Sequence, residues 1–418
     1  MIVLAVVVNT LYTLTETKIS FLSSFAQNIR NGLILRVLAY FFFRLSQGQF
    51  DIYREKYKKS FLHSFITTQM TMPEILHANK LFNPKGNDAT ECRTIIKGAT
   101  TGLFNLNATK YPWAKSLYQV MIGNFWVPEK VSGLKDDARM FHNDLSAEEQ
   151  RAYKGILSFL IFLDSIQTVN LPHFSDYITS PEVNLILSIQ AYQEAIHSQS
   201  YATILETVVE SKERDEIYYF WRTDSILLHR NEYIGQIYQD FINQPSDKNF
   251  FRGIVANFLL ESIYFYNGFA FFDTLVYHMK MLATGRMIAY IRRDELTHVT
   301  IFANIIRDIK KEFPELYDEA LILSMMDEAV KQEIEWSQHI LGTKIPGING
   351  ETTENYTKWL ANKRLAMLNI DPLYPDTIDN PYKHLDRLQD VNSDKGNFFE
   401  TTVVNYTQST SMNGSWDF

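Results

Sequence analysis

The chain has 418 residues, enough for one large domain or two ordinary ones, and its 46% hydrophobic and 14% aromatic content can fill a sizeable packed core. A formal charge of −8 with no long basic run argues against a nucleic-acid-binding surface. The single cysteine, Cys92, excludes an intramolecular disulfide framework and a multi-cysteine metal site, and fits a reducing, cytoplasmic setting.

Residues 1–71 differ from the rest. They carry a net charge of +5, leaving −13 for residues 72–418. Their apolar runs, Met1–Val8 and Leu33–Phe43, are shorter than the roughly 20 residues needed to span a bilayer, and Arg36 interrupts the second. No charged region precedes the first run, a poor match to a signal peptide. This segment is expected to be an extension peripheral to the fold, with Met70 or Met72 as an alternative start; an N-terminal membrane anchor is the competing reading.

From about residue 146 the apolar residues take on a helical period of 3.6. Ser146-Ala-Glu-Glu149 resembles a capping box and opens a helix that continues to Val169. Ser180-Pro181 opens the next, which runs past Ile204. Further helical stretches are predicted over 215–243, 250–278, 283–311, 315–341 and 352–368. Several are apolar on more than one face, as in helices buried inside a bundle. Alternation typical of strands and fixed-period repeats are both absent from the sequence. The helical pattern ends after Pro372, and Asn392 onward is rich in Asn, Ser, Thr and Gly. The expected organisation is one all-α domain over residues 72–385 and a flexible tail over 386–418.

Two Glu-x-x-His motifs stand on separate predicted helices, Glu194-Ala-Ile-His197 and Glu295-Leu-Thr-His298. Spacing of three puts both side chains on one helix face. Asp164 and Glu261 lie inside apolar stretches, where an unpaired carboxylate costs several kcal/mol. Four such groups in one core require about four positive charges, which two divalent ions supply. One acid from each of two helices plus Glu-x-x-His from each of two others is the ligand set of a dinuclear carboxylate bundle. Mixed oxygen and nitrogen ligation suits iron or manganese. Tyr201 falls on the Glu194–His197 face, about 6 Å along the axis from His197. Phe265 and Phe269 follow Glu261 at four and eight residues. Spacing alone leaves Tyr201 between core tyrosine and redox partner, and both phenylalanines between core and a radical shield. By the same measure Trp126 reads as a packing residue and Asp294 as a surface charge. The eight other histidines show no partner spacing and read as surface or satisfied core residues.

The strings Leu163-Asp-Ser-Ile-Gln167, Gln193-Glu-Ala-Ile-His-Ser-Gln-Ser-Tyr201, Leu260-Glu-Ser-Ile-Tyr-Phe-Tyr266 and Arg293-Asp-Glu-Leu-Thr-His298 resemble the metal-site motifs of class I ribonucleotide reductase small subunits. The resemblance runs from about Asn124 to the C-terminus and leaves residues 1–71 without a counterpart. It implies a ferritin-like helical bundle with two iron or two manganese ions held by Asp164, Glu194, His197, Glu261, Glu295 and His298. Tyr201 matches the family's radical-bearing tyrosine, and Phe265, Phe269 and Ile291 the apolar pocket around it. Trp126 and Asp294 resemble the pair that passes an electron toward the subunit interface. Asn397-Phe-Phe399, Tyr406 and the terminal Trp416-Asp-Phe418 resemble the tail that relays the radical and docks on the large subunit. Ala361-Asn-Lys-Arg-Leu-Ala366 with Pro372-Leu-Tyr-Pro375 is closer to the manganese-using class Ib type. The family further implies a homodimer, a large-subunit partner, a flavoprotein activator for some members, and no direct nucleotide binding. The competing classes are a ferritin-like oxygenase, oxidase or desaturase with its own substrate, which would not require Trp126, Asp294 or the Tyr406 tail, and a non-enzymatic metal-storage bundle.

Overall fold

The computed structural model describes residues 76–388. The 1–71 extension and the tail residues Asn397-Phe-Phe399, Tyr406 and Trp416-Asp-Phe418 lie outside the described residues. Within them the architecture is helical, with short 3-10 turns and an isolated antiparallel bridge between Ile96 and Ile178.

The capping box forms as expected. Ser146 Oγ accepts from the Glu149 amide at 3.1 Å, and Glu149 Oε2 accepts from the Ser146 amide at 2.8 Å. The helix they start, α3 (Ala147–Ser175), continues through Pro172 beyond its expected end at Val169. Proline at the first position of α4 (Pro181–Val208) likewise marks the predicted start. By length and composition α3 could cross a membrane, but about two-thirds of its most apolar window is buried in the bundle. Its apolarity is consumed by packing, mainly against α4.

Four differences separate the predicted elements from the observed ones. Among the described residues, two α-helices precede residue 146: α1 (Pro112–Gly123) and α2 (Leu134–Asn143). Each is short and buries only two or three side chains, so few apolar residues mark it in the sequence. The stretch 215–243 is two helices, α5 (Ser211–Thr223) and α6 (Ser225–Asn243). Asp224 between them is extended and caps α6 by accepting from the amides of Ile226 and Leu227. The stretch 250–278 is α7 (Asp247–Leu259), a π-helical turn (Leu260–Tyr264) and α8 (Tyr266–Tyr277). The stretch predicted over 315–341 starts later, as α10 (Glu319–Leu341), where Asp318 Oδ1 accepts from the Leu321 amide at 2.9 Å. α9 (Leu282–Glu312) and α11 (Gly350–Met367) lie close to their predicted spans.

The N-terminal part of the described chain is tied to α9 at two indoles. Trp113 donates to Asp308 at 2.8 Å and Trp126 to Asp294 at 2.8 Å. Asp137 on α2 caps α9, accepting from the amides of Ala283 at 3.2 Å and Thr284 at 2.6 Å.

The π turn leaves carbonyls displaced from the regular helical ladder. Two arginines meet them. The fully buried Arg230 of α6 donates to the Tyr264 carbonyl and pairs with the equally buried Glu333 of α10. Its guanidinium lies 3.9 Å from the Phe159 ring centroid and 4.6 Å from that of Tyr264. Arg364 of α11 donates to the Ser262 carbonyl at 3.3 Å. Replacing Arg230 by Met is expected to destabilise the protein by about 3–5 kcal/mol, because it strands the Glu333 carboxyl without its partner. The double change R230M/E333L should recover most of that loss. Denaturant unfolding checks both, and a single-variant cost below about 1 kcal/mol would contradict the pairing.

Candidate metal centre

Four elements deliver the acids and histidines to one point. α3 brings Asp164, α4 brings Glu194 and His197, the π turn brings Glu261, and α9 brings Glu295 and His298. All six side chains have 0% exposure. They fall into two overlapping groups whose ligand atoms all lie within 4.8 Å of one another: Asp164, Glu194, His197 and Glu295, and Glu194, Glu261, Glu295 and His298.

The distances assign each oxygen a side. His197 Nδ1 lies 3.4 Å from Glu194 Oε2, 3.1 Å from Glu295 Oε1 and 3.7 Å from Asp164 Oδ2. His298 Nδ1 lies 3.1 Å from Glu194 Oε1, 2.8 Å from Glu295 Oε2 and 3.8 Å from Glu261 Oε2. Glu194 and Glu295 therefore span both groups with opposite oxygens, whereas Asp164 and Glu261 each serve one. This division does not follow from spacing along the chain.

Each histidine points Nδ1 inward and Nε2 at an outer acceptor. His197 Nε2 is 3.3 Å from Asp294 Oδ2, and His298 Nε2 is 2.9 Å from Gln193 Oε1. Outer acceptors of this kind hold the ring proton on Nε2 and free Nδ1 for a metal. Glu261 Oε1 accepts from Gln167 at 2.5 Å and from Gln190 at 2.9 Å. The roles of these three glutamines were not legible as such. Gln167 lies three residues after Asp164, and Gln190 four before Glu194, so each shares a helix face with a ligand.

The residues fit two divalent cations. Both Asp164 oxygens, Glu194 Oε2, Glu261 Oε2, Glu295 Oε1 and His197 Nδ1 are buried without a hydrogen bond. Native interiors rarely leave such atoms unmatched. In the metal-free site, burial and then the Glu194 and Glu295 charges push the Asp164 and Glu261 carboxyls well above their usual range. The carboxylates, Glu295 foremost, outweigh burial and raise both histidines. Burial opposes ionisation of Glu295, but His298 and His197 together hold its pKa below the usual value. Protons thus occupy part of the charge-balancing role that cations would fill.

Tyr201 is fully buried, and its hydroxyl is without a hydrogen bond. Burial, followed by the Asp164 charge, raises its pKa well above 10. Phe265, Phe269 and Ile291 are also closed to solvent, with the two phenyl rings 5.9 Å apart. The π turn and its end at Phe265 interrupt the α-helical step from Glu261, so the expected i+4 and i+8 register does not carry across unchanged. Asp294 is not the surface charge that spacing suggests. It has 0% exposure, and its Oδ2 meets both His197 and the Trp126 indole. Tyr406 lies outside the described residues.

Two outcomes test this geometry. Asp164→Ala or Glu261→Ala should leave one tightly held ion of two, while Glu295→Ala should weaken both; metal titration with elemental analysis reads the stoichiometry. Equal loss from all three variants would contradict the shared-carboxylate arrangement. Because Asp164, Glu261 and both histidines have raised pKa values and bind metal only when deprotonated, loading should release protons and weaken as pH falls. An indicator dye in weakly buffered solution checks this, and loading without proton release would refute it.

Comparison with known proteins gives a consistent result. The family model for the ribonucleotide reductase small chain matches residues 103–381. The ribonucleoside-diphosphate reductase subunit beta of Treponema pallidum is 40% identical over 348 residues, covering 82% of this chain and 99% of that one. The solved ribonucleotide reductase R2 subunit from Clostridium botulinum superposes with a TM-score of 0.73 at 43% identity, covering 76% of this chain and 99% of that one. The dimanganese(II) NrdF protein of Streptococcus sanguinis, at 22% identity and a TM-score of 0.61, shares the fold; it covers 69% of this chain and 99% of its own. The chain belongs to the ribonucleotide reductase small-chain family.

Proposed function

We propose that this protein is the radical-storing small subunit of a class I ribonucleoside-diphosphate reductase. The observation that carries the reading is the pair of buried ligand groups sharing Glu194 and Glu295, with the solvent-free Tyr201 on the same helix as Glu194. Asp164, Glu194, His197 and Glu295 would hold one iron or manganese ion, and Glu194, Glu261, Glu295 and His298 the other. Such ions, when bound, supply the one-electron oxidising power that amino-acid side chains lack.

The chain's own groups prepare the radical site. Tyr201 keeps its hydroxyl proton at physiological pH, so losing an electron requires losing that proton too. Asp164 is the carboxylate whose charge acts on it most strongly. Phe265, Phe269 and Ile291 close the neighbourhood to water and external reductants, which prolongs the life of an oxidised phenol. Export follows a hydrogen-bonded line from His197 through Asp294 to Trp126. The indole of Trp126 is only partly buried and lies 6.3 Å from the His197 ring. From there the hole passes to Tyr406 on the tail and on to a large subunit that binds and reduces the nucleotide. Docking of a terminal peptide suits such a tail. A homodimer in the cytoplasm, activated by a flavoprotein where the metal is manganese, completes the reading.

Protein from its native host should contain about two iron or manganese ions per chain and show a tyrosyl resonance that disappears in Tyr201→Phe. Removing residues 400–418 should abolish ribonucleotide reduction with the large subunit while leaving metal content and the resonance intact. Turnover unaffected by the truncation would instead point to an oxygenase working alone.

A further inference from the structure

A cavity of about 570 Å³ opens between α3, α5 and α6. Phe162 and Ile166 line it from α3 and stand two residues either side of Asp164, roughly 200° around the helix. The cavity therefore lies on the face of α3 turned away from the metal ligands. Helix α5 contributes Trp221, and α6 contributes Asn231, Glu232 and Gly235. A volume of this size is typical of small-molecule sites.

Its wall is flat and apolar: the Phe162 and Trp221 rings stack with centroids 3.6 Å apart and planes 14° apart. Against that wall stands one buried amide. Asn231 is 3% exposed, and neither its Nδ2 nor its Oδ1 has a hydrogen-bond partner. A buried carboxamide unmatched at both ends is rare in a native interior. It offers a donor and an acceptor side by side, the complement of a ring edge that carries an N–H next to an acceptor. One turn further along α6, on the same face, Gly235 borders the cavity too. A Cβ added there would meet no atom within 4 Å, so packing does not demand glycine. Glycine inside a helix lowers its stability relative to alanine. What it leaves here is bare backbone beside Asn231, where a flat ring can approach closely.

We propose that this cavity binds an uncharged planar heterocycle of nucleobase type. Paired hydrogen bonds to the Asn231 carboxamide hold its polar edge, and the ring rests over Gly235 against the Phe162–Trp221 wall. Asparagine makes the same two-bond contact with base edges in nucleic-acid recognition. Charge selects the form of the ligand. The Glu232 carboxylate lines the cavity and neither lysine nor arginine does, so a free base or nucleoside fits and a phosphorylated one is disfavoured.

Equilibrium dialysis of the full-length, metal-loaded protein against adenosine and against uridine, each up to millimolar concentration, tests the site. Both should bind saturably. Their N6,N6-dimethyl and 3-methyl derivatives lack the N–H of the pairing edge and should bind about tenfold more weakly, the effect of one or two lost hydrogen bonds. Asn231→Leu should erase that discrimination. Gly235→Leu should block all four compounds while the metal content is kept, which shows that the fold survives. Adenosine monophosphate should bind more weakly than adenosine. Equal binding of parent and methylated nucleosides, undiminished binding in Gly235→Leu, or no saturable binding to the unaltered protein would each overturn the proposal. Tighter binding of the monophosphate would overturn the assignment of an uncharged ligand.

Discussion

Four carboxyl groups with no solvent exposure, set in two clusters that share Glu194 and Glu295, set the terms for this bundle. Their mutual repulsion in a low-dielectric interior is severe, and water cannot relieve it. Both histidines sit between them, yet the groups still retain unmatched oxygens. Only concentrated positive charge balances the site, and the surrounding side chains are arranged to direct it. Gln167 and Gln190 restrain the outer oxygen of Glu261, while Asp294 and Gln193 turn the two imidazoles. The site is an electrostatic deficit held in place by hydrogen bonds.

Such a deficit needs a rigid frame, and the frame is least regular where it meets Glu261. A π turn carries this ligand, and π turns are costly unless their displaced carbonyls find partners. Arg230 and Arg364 supply them from α6 and α11, helices that contribute no ligand of their own. Elements remote from the chemistry in sequence thus determine where one ligand stands.

Much of the centre was legible because its information is local. Each Glu-x-x-His needs only one helical turn, and Asp164 and Glu261 betray themselves by lying in apolar runs. What stayed hidden depends on relations between helices. Sharing of Glu194 and Glu295 reflects the relative register of α4 and α9, which no spacing within either helix encodes. Asp294 read as exposed because its neighbours Arg292, Arg293 and Glu295 make the segment look polar, whereas its partner Trp126 lies 168 residues away. The break at Asp224 was missed because neither glycine nor proline marks it, and the π turn because its residues are as apolar as those of an ordinary buried helix.

The two indole–carboxylate bonds along α9 have a mechanical meaning. Asp294 and Asp308 are four turns apart, about 21 Å along the axis, and each holds a tryptophan from the chain segment around α1. A helix fastened at one point can pivot or slide past its neighbour. Fastened at two, with Asp137 closing its N-terminus, it has neither freedom. A push on the segment from Trp113 to Trp126 therefore reaches Glu295 and His298 as the displacement of a single stiff rod.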